Sequence, residues 1–235
     1  MPREPIVIQC PTRIEAHPLL RRLDFQQNRQ PEAEPPTWIA RHADIKMALI
    51  LSGVGQARAT SATKWALKQL QPRGLIFAGV AGGLNPRLHV ADVITPARVI
   101  DGRTRETLTP TMPGPTDDTL VTVDRVINTP GQKAALYAEF NADAVDMETA
   151  AAASLCDRAS VPWRSARAIC DTAHAELPNG LARMIDDDGR IQWRATAGAL
   201  LGDPQRIGPL IILARAMRRA TRALADAIVD SIESQ

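Results

Sequence analysis

The stretch that decides the fold is GLIFAGVAGG, residues 74–83. It is an almost unbroken apolar run, ten residues long, bounded by Pro72 and Arg73 on one side and the turn-forming Asn85 and Pro86 on the other. A run of this length is too short to cross a bilayer, and its small and branched side chains suit a strand buried on both faces. A strand covered on both faces needs helices above and below it, so the neighbours of this run should alternate in kind. They do. GQARATSATKWALKQL (55–70) reads as a helix closed by Gln71 and Pro72, and WIARH (38–42) and KMALILSG (46–53) read as paired strands about a turn at Ala43 and Asp44. PIVIQC (5–10) is a first strand ended by Pro11, and residues 13–23 carry helical spacing at Ile14, Leu19, Leu20 and Leu23. The polar, proline-rich NRQPEAEPPT (28–37) is predicted as a surface loop.

Downstream, HVADVITPARVI (89–100) predicts one or two strands, and TRETLTPTMPGPTDD (104–118), with three prolines, predicts a long loop of the kind that often serves as a lid. LVTV (120–123) is a strand, a helix starts at about Gln132, and DAVDM (143–147) ends another strand. The alanine run of AVDMETAAAA (144–153) opens a helix able to pack closely, WRSARAIC (163–170) is a further strand, and a long helix runs from about Pro209 to Ser231. This alternation predicts an α/β fold with a central sheet. No repeat and no linker divides the chain, so residues 1–235 are read as one domain.

Composition narrows the function. At 45% hydrophobic residues the chain can bury a sizeable core, while 3% aromatics leave no stacking platform for nucleic acid. A net charge of +2 is too small to imply a polyanionic partner. Cys10, Cys156 and Cys170 are too few and too scattered for a disulfide framework or a metal cluster, so a reducing, cytoplasmic setting is expected. No secretory signal is read, and no metal or cofactor is expected.

Chemistry in open α/β folds gathers at the carboxyl ends of strands. Glu15 after the first strand, Glu148 after DAVDM and Asp171 after WRSARAIC place three carboxylates there, with the glycine turns of SGVGQARA and GVAGGLNP. Each has an ordinary reading as well. Gly53 and Gly55 begin a dinucleotide fingerprint, but Arg58 stands where its third glycine belongs, so they equally serve a tight turn. Glu148 fits a helix first turn, Asp171 fits an N-cap, and Glu15 fits a solvated helix face. The acidic run Asp186–Asp188 reads as a solvated turn before Gly189, and the four histidines show no ligand spacing.

The combination is more specific than its parts. SGVGQARAT, GVAGGLNPRLHVADVITP, AVDMETAAAA and RAICDTA, in that order, resemble the nucleoside phosphorylase superfamily, and within it the methylthioadenosine/S-adenosylhomocysteine nucleosidases. The resemblance covers the first strand to about residue 175. It implies a three-layer α/β/α fold with a central mixed sheet, and an enzyme that cleaves the N-ribosidic bond of a purine nucleoside. In its terms Met147 packs on the sugar, Glu148 binds the ribose hydroxyls, Asp171 hands a proton to purine N7, and Glu15 activates water. Ala81 and Gly82 line the substrate, and Val126 stands near the place where a Phe commonly stacks on the base. Val80 stands where relatives often carry Ser or Thr, and Cys170 replaces the usual Ser before the aspartate. Phosphorolysis, with Arg41, Arg58 or Arg87 on phosphate, and a non-catalytic nucleoside binder are the alternative readings.

Residues 171–228 look like the hopanoid-associated branch, which removes adenine from adenosylhopane. The matching features are a D-x-A-x-x-x-LP segment, a DG turn, a leucine pair before DP and an Ala- and Arg-rich terminal helix. On that helix Arg215, Arg218, Arg219 and Arg222 form a basic face, with Ile211, Met217, Leu224 and Ile228 apolar. It reads as a solvated surface helix or as a peripheral contact with anionic lipid. The resemblance further implies a homodimer.

Overall fold

The computed structural model describes residues 4–28, 34–42, 44–112, 114, 116–178 and 207–233. The acidic run at 186–188 and the DG and DP features of the C-terminal segment lie outside the described residues.

GLIFAGVAGG forms β5 (Gly74–Gly83), and everything else is arranged around it. Its first half pairs in parallel with β1 (Ile6–Cys10), and nearly its whole length pairs in parallel with β11 (Trp163–Asp171). Its last two glycines pair antiparallel with β10 (Ala144–Asp146). From β1 the sheet extends through β4 (Ile45–Leu51) and β3 (Thr37–His42) to β2 (Gln26–Asn28). From β10 it extends through β9 (Thr119–Thr122) and β7 (Arg98–Asp101) to β8 (Thr107–Leu108), and β6 (Val93–Ile94) pairs with β11. Parallel and antiparallel pairs are both present, so the central sheet is mixed.

The two faces of the sheet carry separate cores. Along β1, Ile6 and Ile8 enter one cluster and Val7 the other; along β5, Ile76 and Ala78 oppose Leu75 and Phe77. This is the period-2 alternation of a strand covered on both sides. Helices α1 (Arg13–Arg22) and α5 (Ile207–Glu233) cover the first face through residues such as Leu19, Leu224 and Ile228. The second face is covered by α2 (Gln56–Gln69) and α4 (Thr149–Ala159). Helix α3 (Pro130–Phe140) lies between β9 and β10 in sequence. The expected α/β/α layering is therefore present.

Three expectations need correction. Asn28, expected as the start of the proline-rich loop, instead ends an edge strand, Gln26–Asn28; all three residues are exposed, so no buried face marks them in sequence. The proline-rich segment contains β8, held to β7 by a two-residue ladder. Helix α3 begins at Pro130, two residues before the expected start, because Thr129 and Gln132 form a reciprocal capping box and Pro130 occupies the first turn.

The alanine run has a packing reason. Ala150, Ala152 and Ala153 of α4 are buried in one cluster with Ala59, Ala62 and Ala66 of α2, so the two helices approach through methyl groups. We therefore expect Ala153→Leu to lower the unfolding free energy by about 1–3 kcal/mol through overpacking. Urea denaturation checks this, and an unchanged midpoint would show that the helices do not touch there.

Candidate active site

The local sequence explains how each carboxylate is held. Thr12, after the strand-ending Pro11, caps α1: its hydroxyl accepts from Glu15 N at 3.3 Å and donates to Glu15 Oε2 at 2.6 Å. The Thr-x-x-Glu spacing is that of a capping box, but here the glutamate binds the Thr12 hydroxyl and reaches across to β5, where Oε1 accepts from Val80 N at 3.0 Å. Glu15 is only 4% exposed, which overturns the solvated reading. Burial pushes its carboxyl above the usual range, against the pull of the Thr12 and Val80 hydrogen bonds and of Arg167.

Glu148 is the N-cap residue of α4, yet its side chain caps nothing. Instead Oε1 accepts from Gly55 N at 2.7 Å, across 93 residues of sequence. Gly55 has φ +93°, and Gly53, in the same turn, has φ +78°, conformations open to glycine at little cost. These glycines thus form a tight strand-to-helix turn that turns a backbone N–H toward a carboxylate. Burial first, then the charge of Asp146, raises Glu148 to about 7, with Arg167 and the Gly55 N–H opposing.

Asp171 ends β11, paired with Gly82 of β5, and residues 172–178 are not helical, so it is not an N-cap. Its Oδ1 accepts from Cys170 Sγ at 3.0 Å, and its Oδ2 is ion-paired with the fully buried Lys133 of α3. A side chain at Gly82 would meet Asp171 Oδ2 and Val145 Cγ1, each at 3.3 Å, so the glycine lets the aspartate and β10 close together.

Beneath these groups lies Arg167, 1% exposed. Its Nη2 reaches Asp146 Oδ2 at 2.7 Å and Thr149 Oγ1 at 2.6 Å, while Asp146 also accepts from Thr122 Oγ1 at 2.6 Å. Among the described residues its Nε and Nη1 have no hydrogen-bond partner, and Nη1 crowds the point a Gly79 side chain would occupy, with Glu15 Oε1 3.0 Å from that point. Guanidinium and carboxylate therefore converge over Gly79.

The structure thus brings Glu15, Glu148 and Gly82 to one end of the sheet, with Asp171 beside Gly82. Met147 is half-buried next to Glu148, and Val126 is half-buried in the segment between β9 and α3. Ala81 directs its methyl into the core, leaving only its backbone for a ligand. Of the arginines considered for phosphate, Arg41 and Arg87 are exposed, and Arg41 lies toward the β2 edge beside Lys46. Arg167 and Lys133 were not singled out in sequence. Arg167 lies in the quoted WRSARAIC, where arginines inside a strand are the available signal; Lys133 offers none.

The sequence model of the phosphorylase superfamily matches residues 5–120 and 111–203, and the chain belongs to this family. A 5′-methylthioadenosine/S-adenosylhomocysteine nucleosidase from Marinomonas sp. (strain MWYL1) is 29% identical over 63% of this chain and 78% of its own. An aminodeoxyfutalosine nucleosidase from Campylobacter jejuni is 26% identical over 58% of this chain and 72% of its own. The crystal structure of the Helicobacter pylori 5′-methylthioadenosine/S-adenosylhomocysteine nucleosidase superposes with a TM-score of 0.75 over 99% of both chains at 15% identity, which establishes the same fold.

The raised Glu148 has a consequence for stability. A native carboxyl that ionises near 7, against 4.5 when unconstrained, favours the native state fully below about pH 4.5. That contribution is lost as pH rises through 7. Glu148→Gln removes the titration, so the variant's unfolding free energy should gain on wild type by up to ~3 kcal/mol between pH 4.5 and 8. Parallel denaturation series test this; a pH-independent difference would contradict the raised value.

Proposed function

We propose that this protein is a purine nucleosidase that cleaves the N-ribosidic bond of a 5′-substituted adenosine and releases adenine. The observation that carries the reading is the buried Arg167 guanidinium, with two nitrogens unpartnered among the described residues, converging with Glu15 beside Glu148. It is a hydrolase in this reading, an N-glycosyl hydrolase like its relatives.

The chemistry follows from where charge develops. As the C1′–N9 bond breaks, its electron pair goes to the base and the ribose becomes cationic. Glu148, anchored by the Gly55 N–H, accepts hydrogen bonds from the ribose hydroxyls, and its negative charge counts for most when the ring is most positive. Met147 packs on the sugar. Asp171 hands a proton to N7, so that a neutral base departs; positioned proton transfer of this kind is typically worth ~10²–10⁴-fold. Glu15 takes a proton from the attacking water, which the free Arg167 nitrogens help to hold. Val80, which lacks a hydroxyl, favours water over phosphate as nucleophile.

The finer reading is that the 5′ substituent is bulky and apolar, as in adenosylhopane on the route to hopanoid side chains. Its support is the sequence likeness of residues 171–228. A lipid-tailed substrate also suits the terminal helix: Ile211 and Ile212 are 46% and 68% exposed on the helix that carries the exposed Arg215, Arg218, Arg219 and Arg222. Such a helix fits peripheral contact with an anionic lipid surface. Among the described residues no helix is long and apolar enough to cross a membrane. A homodimer rests on the family resemblance alone.

The test is adenine release from adenosine, methylthioadenosine, S-adenosylhomocysteine and adenosylhopane, with and without inorganic phosphate. We expect release from a 5′-substituted substrate, unchanged by phosphate, with free sugar as co-product. A strict phosphate requirement with a sugar phosphate as product would make the protein a phosphorylase, and tight binding with no release would make it a binder.

A further inference from the structure

Lys133 does not belong where it stands on helical grounds. It is the fourth residue of α3, after Thr129 as N-cap, where the positive end of the helix dipole disfavours a cation. It is also 0% exposed, whereas lysine normally keeps its ammonium in water. The compensation is complete: Nζ is bonded to Asp171 Oδ2, to Thr172 O at 2.6 Å and to Ala175 O at 3.1 Å. An ammonium has three N–H donors, and here each has one acceptor. Two of the acceptors are backbone carbonyls of the turn that follows Asp171, so the lysine fixes the aspartate and its local chain together. Stability alone does not call for such a pair, because apolar residues of similar volume commonly serve a core as well as a buried ion pair does.

Resting on the base-release reading above, we propose that Lys133 is a positioning residue for Asp171: it orients the carboxyl group at the leaving base and holds, within the pair, the proton that leaves with the base. The step balances. The C1′–N9 electron pair moves into the purine, and one Nζ–H of Lys133 passes to the Asp171 carboxylate and on from it to N7, leaving a neutral amine beside an ionised Asp171. Water oxygen bonds to C1′ and its proton goes to Glu15. Glu15 then returns a proton to solvent, and the Lys133–Asp171 pair regains one from it. The sum is nucleoside plus water giving adenine plus sugar. Cys170, donating to Oδ1, steadies the other carboxylate oxygen.

The account separates from a merely structural role through the leaving group. A purine needs the proton, whereas 4-nitrophenolate leaves as an anion. Lys133→Met, Lys133→Arg and Asp171→Asn are compared with wild type on an adenine nucleoside and on 4-nitrophenyl riboside, with melting curves. For Lys133→Met we expect kcat for adenine release to fall by about tenfold or more, within the 10²–10⁴-fold span of general-acid catalysis. KM should change little, and the aryl substrate should be largely spared, as with Asp171→Asn. Lys133→Arg keeps the counter-charge but has no proton to give, so it should show the same selectivity with a smaller loss. Equal losses on both substrates in a folded variant, or unimpaired adenine release, would overturn the assignment. If neither variant folds, Lys133 is a structural partner and the assignment falls. Wild type that releases no adenine overturns the proposed function itself, and this inference with it.

Discussion

One guanidinium sits at the bottom of the site and is shared too thinly. Arg167 is buried, and its direct ion pair is with Asp146, a residue already held by Thr122 and Thr149. Glu15 and Glu148 lie within its field but make no ion pair among the described residues, and both carboxyls are pushed up by burial. Two buried carboxylates thus face one cation whose direct ion pair is with a third carboxylate, Asp146. A site in this state lacks positive charge, and a ribose ring becoming cationic is a group that supplies it. Binding that strengthens as the reaction proceeds is what accelerates it.

The fold exists to make this convergence. Four chain segments far apart in sequence meet because β5 pairs with β1, β10 and β11 at once. The glycines of β5 are used at close approach: Gly79 leaves room for Arg167 against Glu15, and Gly82 leaves room for Asp171 against Val145. The alanines of α4 let that helix lie close on α2, which brings Glu148 to the Gly55 turn. The Lys133–Asp171 pair stands apart as a locally neutral unit, in keeping with a proton to be moved and not a charge to be added.

Much of this was legible in sequence, for definite reasons. β5 is a continuous apolar run and β1 nearly one, and the long helices carry their period plainly. β2 was not legible because its residues are exposed and polar, and β8 because a two-residue ladder leaves no pattern. Glu15, Glu148 and Asp171 stand out in sequence as carboxylates at or shortly after strand ends, and the roles proposed for them come from the resemblance. Arg167 could be seen as odd but not explained, since Asp146 lies 21 residues upstream on another strand. Lys133 was invisible: a lysine on a helix is solvated by default, and nothing local says that the end of β11 waits beneath it.

The central claim is that the site is built for a ribosyl cation leaving an adenine. The most direct measurement compares two inert ligands of one shape: a pyrrolidinium sugar mimic linked through carbon to 9-deazaadenine, and its neutral tetrahydrofuran counterpart. Isothermal titration at neutral pH should find the cationic ligand bound at least about 10²-fold more tightly, the lower end of what transition-state mimicry gives. Equal affinities would contradict the account, because a pocket with no preference for positive charge has no use for two buried glutamates that make no ion pair among the described residues.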